Sequence, residues 1–304
     1  MSMIEIEYRT VTACPLCGAA DPHLLEPLAR RAYTFGPVEI ALPPGGIALL
    51  RCPHCDLVFK DRIPTPEALN RVMGQAATQV WKPGREAHPH TALMQALAAR
   101  ADAGLIDIGA ANGEVLAAVA PCVKRRSAFD IVSYPDCAAR VTGEYVLGQF
   151  EQPLDWSGDP YGLVTAFDVF EHFSEAGAAL RNLLGFVAPG GTLLLETGDA
   201  DRAFPSIGRW YYTAMFEHTI FWNRRSLEFA AAANGLRLAR YEAVNHKGRL
   251  GLAGRKKAAI WLAHVGGRNR VGAWLGRRLT GVDIALIAHP TRADHMLAEL
   301  VRIA

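Results

Sequence analysis

The segment that decides the fold is LIDIGAANGEVL, which spans residues 105–116. An apolar run reaches an acid, passes through a glycine-rich turn and continues as an amphipathic stretch, so the segment predicts a strand, a loop and a helix. Gly109 and Gly113 are four residues apart, and this spacing differs from the G-x-G-x-x-G turn that seats a pyrophosphate. The turn keeps Asp107 near the strand end and lets the backbone approach a ligand closely. A nucleoside without phosphates fits such a turn better than a dinucleotide does.

Strand-like apolar runs alternate with helical patterns along the rest of the chain. This alternation predicts an α/β fold, with a parallel sheet covered by helices on both faces. The predicted strands are Leu105–Gly109, Ser127–Ile131, Glu144–Leu147, Gly162–Phe167, Gly191–Glu196, Leu236–Ala243 and His295–Ile303. The predicted helices are Pro89–Arg100, Asn112–Ala120, Pro135–Val141, Ser174–Val187 and Arg225–Ala233.

The composition is that of a globular protein with one large and one small domain. Half of the 304 residues are apolar and a fifth are charged. No apolar run reaches the roughly 20 residues of a membrane span, and the first residues lack the basic and apolar regions of a secretory signal. We therefore expect a cytoplasmic protein, in which cysteine pairs bind metal rather than form disulfides.

Two short cysteine motifs, CPLC at residues 14–17 and CPHC at residues 52–55, have the spacing of zinc knuckles. Four thiolates can surround one Zn²⁺ tetrahedrally, so the predicted ligands of a structural zinc are Cys14, Cys17, Cys52 and Cys55. A redox dithiol and a nucleic-acid finger are the alternatives. His54 lies inside the second knuckle, but four sulfurs already complete the ligand set.

The motifs divide the chain into a zinc-ribbon module, residues 1–75, and a larger domain, residues 76–304. Within the module, Val38–Leu50 is interrupted by the sequence PPGG and predicts a β-hairpin between the two knuckles. Thr65 followed by Pro66 predicts a helix start, with threonine as the N-cap and proline at the first helical position.

A basic block covers residues 245–280, with nine Lys or Arg residues and no Asp or Glu. Trp261 and Trp274 lie among its apolar and basic residues at helical spacing. The pattern fits a basic helical insert near 245–285 that contacts an anionic partner such as a membrane surface or a substrate phosphate. A solvated helical face is an equally good interpretation, and a helix packed beside the last strand would show the same pattern.

Acidic and aromatic residues follow the predicted strands, at the edge where open α/β sheets bind ligands. Asp130 ends the second strand and can accept hydrogen bonds from ribose hydroxyls, with a helix N-cap as the alternative. Gln149 and Phe150 follow the third strand and either flank an adenine or form a plain turn. After the fourth strand, Asp168 can face a cofactor or substrate, whereas Glu171 and His172 can be polar residues of the next helix.

These elements, together with the turn APGGTL at residues 188–193, resemble the class I S-adenosylmethionine (SAM) dependent methyltransferases over residues 90–245. The resemblance implies a Rossmann-like seven-stranded sheet whose last strand is antiparallel, with SAM at the carboxyl ends of the first two strands. Ala111 replaces the middle glycine of the commoner turn. The implied cofactor-binding residues are Asp107, Gly109, Ala110, Gly113, Asp130, Gln149, Phe150, Phe167 and Asp168. No metal is expected at the active site.

An aromatic segment at residues 209–222, RWYYTAMFEHTIFW, predicts a lid or substrate pocket. Glu217 and His218 form a candidate acid/base pair, with Asp168 as a third catalytic candidate. The segment and the cysteine module resemble those of nucleotide-sugar C-methyltransferases, in which such a histidine can act as a base. Met215 stands where those enzymes have a tyrosine, which leaves O-methylation open. The alternative is that His218 packs under the lid.

Three functions remain open from the sequence. The first is SAM-dependent methyl transfer to a hydroxyl or carbon of a small molecule, such as a sugar, a nucleotide-sugar or a glycan. The second is an RNA methyltransferase that grips RNA with the ribbon and the basic block. The third is a SAM-binding protein without catalysis. The acceptor and the oligomeric state have no signal in the sequence.

Overall fold

The computed structural model describes residues 3–29, 32–35, 38–72, 88–152, 154, 156–245 and 293–304. The described strands are β1 (Met3–Ile4), β2 (Tyr8–Thr10), β3 (His23–Pro27), β4 (Ala32–Phe35), β5 (Val38–Ala41), β6 (Ala48–Arg51), β7 (Val58–Lys60), β8 (Arg62–Pro64), β9 (Leu105–Ile108), β10 (Arg126–Asp130), β11 (Tyr145–Leu147), β12 (Tyr161–Phe167), β13 (Val187–Gly198), β14 (Ile220–Phe221), β15 (Leu236–Val244) and β16 (His295–Arg302). The described α-helices are α1 (residues 66–72), α2 (Thr91–Ala98), α3 (Glu114–Val119), α4 (Pro135–Ala138), α5 (Ala176–Leu183) and α6 (Arg224–Ala233).

Seven strands form the central sheet, in the order β11-β10-β9-β12-β13-β16-β15. The first five strands are parallel to one another, and β16 runs antiparallel to both β13 and β15. This confirms the predicted Rossmann-like sheet with an antiparallel last strand. All four residues of β9 are buried, as expected for a central strand covered on both faces.

Alternate residues of the strands supply two separate hydrophobic cores. Leu105, Leu163 and Leu194 face α2, α3 and α4. Ile106 and Val164 point to the opposite face, where they pack with residues of α5, of α6 and of the cysteine knuckles. The cysteine module therefore helps to cover one face of the central sheet.

The predicted hairpin within Val38–Leu50 is wrong, although both of its strands form. β5 pairs with β4 and β1, whereas β6 pairs with β3 and β7, so the two strands enter different sheets. The turn between them closes with a hydrogen bond of 2.9 Å from Gly46 N to Pro43 O. Gly45 and Gly46 both have positive φ, and Pro43 and Pro44 lack N–H donors for strand pairing. This turn redirects the chain out of a hairpin path.

One strand of the larger domain belongs to a sheet of the cysteine module. β14 pairs with β7 and completes the four-stranded sheet β14-β7-β6-β3. The predicted boundary near residue 75 separates the motifs in the sequence. In the folded chain, the segments before and after it share a sheet and a hydrophobic core.

The basic block lies mostly outside the described residues, which stop at 245 and resume at 293. Within the described part of the chain, none of the helices combines the length and apolar character that crossing a bilayer requires.

Candidate active site and four-cysteine cluster

The glycine turn after β9 is held to the end of β10 by a carboxylate. Gly109 and Gly113 have positive φ values of 67° and 73°, and Ala111 also has a positive φ, of 43°. Ala111 N donates a hydrogen bond of 2.8 Å to Asp130 Oδ2, and Ile131 N donates one of 2.7 Å to Asp130 Oδ1. The side chain of Asp130 therefore fixes the turn and closes the first part of a ligand cradle. We call the carboxyl ends of β9, β10 and β11 the cofactor edge.

Apolar side chains lie exposed beside this carboxylate. Ile131 and Val132 are 42% and 43% exposed, and Leu147, at the end of β11, is 55% exposed. Exposed large apolar groups next to a carboxylate suit a nucleoside, because the base covers apolar surface while the ribose hydroxyls donate to the acid. The residues present at the cofactor edge therefore fit SAM.

Asp107 is buried in β9 beside Thr165, whose Oγ1 donates a hydrogen bond of 2.6 Å to Asp107 Oδ1. Burial raises the pKa of Asp107 to about 7, because a charged carboxylate loses its hydration there. The group is close to the cofactor edge and changes charge near neutral pH.

Phe150, which is predicted to flank an adenine, has a buried ring. Its ring is 5% exposed and packs against Phe129 and Phe186, at centroid distances of 3.9 and 6.0 Å. Gln152 N donates to Gln149 O at 3.1 Å, so the segment forms the plain turn that was the alternative interpretation. The Phe150 ring is part of the hydrophobic core on this face of the sheet.

The second half of the site, the acceptor edge, consists of the carboxyl ends of β12 and β13 together with residues 209–222. Asp168 follows β12 with a φ of 54°, a left-handed conformation that is uncommon outside glycine. Its N–H donates to Glu196 O at 3.0 Å. A 3-10 turn, Phe170–His172, follows at once.

Glu171, for which one interpretation is a polar residue in the first turn of the next helix, is fully buried. Thr197 Oγ1 donates a hydrogen bond of 2.7 Å to Glu171 Oε2. The other oxygen, Oε1, lies 3.9 Å from Nε2 of His172 and 3.9 Å from Nε2 of His218. Burial raises the pKa of Glu171 to about 7.

His218 is buried, and its ring is oriented by the backbone. Its Nδ1 lies 3.0 Å from Tyr212 O, a carbonyl that can only accept, so Nδ1 carries the hydrogen and Nε2 has a free lone pair. Burial lowers the pKa of His218 well below its ordinary value, so the ring is neutral at pH 7. His218 therefore packs beneath the aromatic side chains, and its Nε2 lone pair also faces Glu171 and His172.

The predicted pair of Glu217 and His218 is divided in the structure. The carboxylate within 4 Å of the His218 ring nitrogen is that of Glu171. Glu217 is buried, and burial raises its pKa, while the charges of His172 and, more weakly, Lys60 act in the opposite direction. Glu217 lies in a turn that closes with a hydrogen bond of 3.4 Å from His218 N to Met215 O.

Lys60 is a functional candidate that the sequence did not reveal. It belongs to β7 of the cysteine module, is 1% exposed, and donates a hydrogen bond of 2.7 Å from Nζ to Met215 O. Its ammonium lies 4.6 Å from the centre of the Tyr33 ring. Burial lowers the pKa of Lys60 to about 7.

A second buried pair, also missed, lies beneath Phe167. His90 Nε2 contacts Glu196 Oε2, and both side chains are about 5% exposed. The rings of His88 and His90 lie 4.5 and 5.8 Å from the Phe167 ring. The sequence His-Pro-His before α2 was the available signal, but nothing in it indicated a carboxylate some hundred residues away.

The four predicted cysteine ligands converge. Their sulfur atoms all lie within 4.8 Å of one another, with 3.5 Å between Cys14 and Cys55 and 3.5 Å between Cys17 and Cys52. Tetrahedral thiolates at the usual Zn–S distance stand about 3.8 Å apart, so the donor set fits zinc. His54 N points to Cys52 Sγ at 3.4 Å, and the His54 ring packs against Phe229 instead of joining the sulfurs.

The sheet order, the glycine turn and the acid at the end of β10 together define a class I SAM-dependent methyltransferase. The methyltransferase-domain family matches residues 85–241, more than half of the chain, and the chain belongs to this family. No curated protein sequence matches it.

Solved structures with the same fold are distant in sequence. The cyclase SpnF is 16% identical, with 80% of this chain and 98% of that chain covered at a TM-score of 0.52. Coclaurine N-methyltransferase, bound to N-methylheliamine and S-adenosylhomocysteine, is 15% identical, with coverage of 73% and 74% and a TM-score of 0.46. An O-methyltransferase family protein from Burkholderia thailandensis is 15% identical, with coverage of 78% and 59% and a TM-score of 0.47. The likeness to SpnF concerns the fold alone.

Proposed function

We propose that the chain transfers the methyl group of SAM to a hydroxyl of a small molecule, with a sugar, a nucleotide-sugar or a glycan as the acceptor class. The observation that carries the proposal is the cluster of the buried Glu171 and His218 with the half-buried His172 at the acceptor edge. A hydroxyl must lose its proton during the displacement, and lone pairs of this kind promote that loss.

The cofactor edge would hold SAM through its carboxylates and its apolar surface. Asp130 accepts from the ribose hydroxyls, and Ile131 and Val132 cover the adenine. Asp107 lies where an acid can meet the ammonium of the cofactor. SAM supplies the electrophilic methyl group when bound.

The acceptor edge would orient the hydroxyl for an in-line displacement. Asp168 and His218 lie on this edge, and the aromatic segment beside them supplies apolar cover. Nε2 of His218 would accept the proton, or the proton would pass to water if a cation held by the cluster makes the hydroxyl more acidic.

The four cysteines would bind one structural zinc. The two cysteine knuckles pack against the central domain. Gly177 N of α5 donates to Pro15 O at 3.0 Å, and Asn223 Nδ2 donates to Asp56 Oδ2 at 2.7 Å. Because the ribbon also carries Lys60, zinc would stabilise the acceptor edge from beneath.

RNA remains the second candidate acceptor, and the described residues of the ribbon argue against it. Arg51, a half-buried cation beside a knuckle, lies 3.4 Å from Asp56 Oδ2 and 3.8 Å from Asp201 Oδ1. Lys60 is buried. Neither side chain is presented to a phosphate backbone.

The test is methyl transfer from labelled SAM to separate pools of sugars, nucleotide-sugars and RNA, with the product atom identified by mass spectrometry and NMR. We expect label on the oxygen of a small molecule. Label on RNA, with binding that falls steeply with salt, would move the assignment to the second candidate. SAM binding without transfer to any pool would leave a non-catalytic SAM-binding protein.

A further inference from the structure

We infer that Glu171, His172 and His218 bind one divalent first-row transition-metal ion at the acceptor edge. This revises the expectation of an active site without metal. The inference deepens the proposed function and rests on it only for the role of the ion in methyl transfer; the binding itself stands separately.

The three ligand atoms converge on one point. Glu171 Oε1 lies 3.9 Å from each of the two histidine Nε2 atoms, and all three atoms lie within 4.8 Å of one another. Ligands at about 2.1 Å from a metal in tetrahedral geometry stand about 3.4 Å apart, so an ion would draw the three atoms inward by about half an ångström.

The hydrogen bonds of the two histidines turn their ring lone pairs toward that point. His172 Nδ1 lies 3.2 Å from Glu217 O, and His218 Nδ1 lies 3.0 Å from Tyr212 O. Carbonyl oxygens only accept, so both Nδ1 atoms carry hydrogen and both Nε2 atoms are bare in the neutral rings. Glu171 Oε1 is buried and makes no hydrogen bond within the part of the chain that the structure describes.

Three lone-pair atoms facing one another are unfavourable in a buried setting unless a positive charge lies between them. Metal-binding histidines typically donate their second ring nitrogen to a carbonyl or carboxylate, which is the arrangement of both histidines here. Two imidazoles and one carboxylate suit a first-row transition ion and leave coordination positions open.

The two segments that carry the ligands are tied together by the backbone. Thr219 N, next to His218, donates a hydrogen bond of 2.9 Å to Glu171 O, and Thr219 Oγ1 donates one of 2.9 Å to Phe173 O. Because the 3-10 turn and the aromatic segment are cross-linked in this way, the ligand positions are set before an ion arrives.

The open positions would take the acceptor hydroxyl. An oxygen bound to the ion is more acidic and releases its proton to water. The resulting alkoxide attacks the methyl carbon of SAM, so that a C–O bond forms as the C–S bond breaks. The electron pair stays on sulfur, and the products are the methyl ether, S-adenosylhomocysteine and one proton.

The test uses Mn²⁺ added to the full-length chain with zinc left in the ribbon, because thiolates disfavour Mn²⁺. Binding is followed by the loss of the free Mn²⁺ signal in electron paramagnetic resonance. We expect one Mn²⁺ per chain, and at least about tenfold weaker binding in His172→Ala and in Glu171→Gln. His172 is 27% exposed, so its variant keeps the test valid if the buried Glu171→Gln does not fold. His23→Ala, at an exposed histidine, is the matched control.

Absence of saturable Mn²⁺ binding in the folded wild type would overturn the site, and so would unchanged binding in His172→Ala. Methyl transfer that withstands a chelator at full rate would overturn the role of the ion. Mn²⁺ binding without methyl transfer to any acceptor would instead contradict the proposed function and support the metal site.

Discussion

The cofactor edge and the acceptor edge belong to the same sheet, but the residues that contact one another at the two edges are separated by very different distances along the chain. At the cofactor edge, the hydrogen bond from Ala111 to Asp130 joins residues 19 positions apart. At the acceptor edge, Lys60 bonds Met215 across 155 positions, and Glu26 bonds Gly208 across 182. One edge is thus built from consecutive strand–turn–helix units, whereas the other requires the N-terminal module to be in place. Variants that unfold the N-terminal module should therefore disturb the acceptor edge and leave the cofactor edge intact.

Cys52→Ser should give the largest contrast between the two edges. Loss of one thiolate should release the zinc and disorder the knuckle against α6, so the acceptor edge loses its support. We expect methyl transfer to fall about 100-fold or more, with SAM affinity little changed by calorimetry. Elemental analysis should find about one zinc at the four cysteines in the wild type and none there in the variant.

The matched control is Cys122→Ser, which removes an exposed free thiol. If Cys52→Ser weakens SAM binding as strongly as it weakens methyl transfer, the two edges are not separable.

Asp130→Ala should damage the cofactor edge alone. The variant removes the predicted ribose contacts and the bond to Ala111 N, so we expect SAM binding to weaken by about 1.5–3 kcal/mol. Isothermal calorimetry measures this, with the exposed Asp136→Ala as control. Asp130→Asn removes the charge and keeps the shape of the side chain, so it separates the contribution of the charge to SAM binding from that of the shape. Unchanged SAM affinity in both Asp130 variants would contradict the assignment of this residue.

Lys60→Met should change how stability depends on pH. The folded pKa of Lys60 is about 7, against an ordinary value of 10.5, because burial disfavours the charge. Between these values the unfolded chain binds the extra proton, so the free energy of unfolding should rise with pH, by up to about 1.4 kcal/mol per unit. Denaturant titrations across this range measure the slope.

The Lys60→Met variant should lose the contribution of this residue to the slope, and Lys124→Met, at an exposed lysine, should keep it. Equal slopes in the wild type and Lys60→Met would mean that the ammonium is not buried as described.

The smallest expected effect is at Asp107. Its pKa of about 7 means that the carboxylate becomes charged as the pH rises through neutrality. An ionised partner holds the cofactor ammonium better than a neutral one by about 1 kcal/mol, roughly fivefold in affinity. SAM should therefore bind more tightly on the alkaline side, and Asp107→Asn should flatten the dependence. The exposed Asp102→Asn should not.

Prediction from sequence was most successful where the physics is local. The periodicity of apolar residues gave the seven central strands, and the CPxC spacing gave the convergent cysteines, because neighbouring residues carry both signals. The hairpin at Val38–Leu50 was wrong because strand pairing depends on which distant edges are free. The burial of Glu171 and of Lys60 was missed because each is partnered by residues that come together only in the folded chain.

The pairing of β14 with β7 has a consequence for making hybrid enzymes. An acceptor segment is the natural part to exchange when substrate choice is to be altered. In this chain, residues 209–222 carry a strand of the ribbon's own sheet, and the Glu26 carboxylate accepts from Gly208 N just ahead of it. A segment that is transferred alone would lack the partner strand with which β14 pairs in this chain. The unit of exchange is therefore the ribbon together with residues 206–222, transplanted as a pair onto a shared cofactor half.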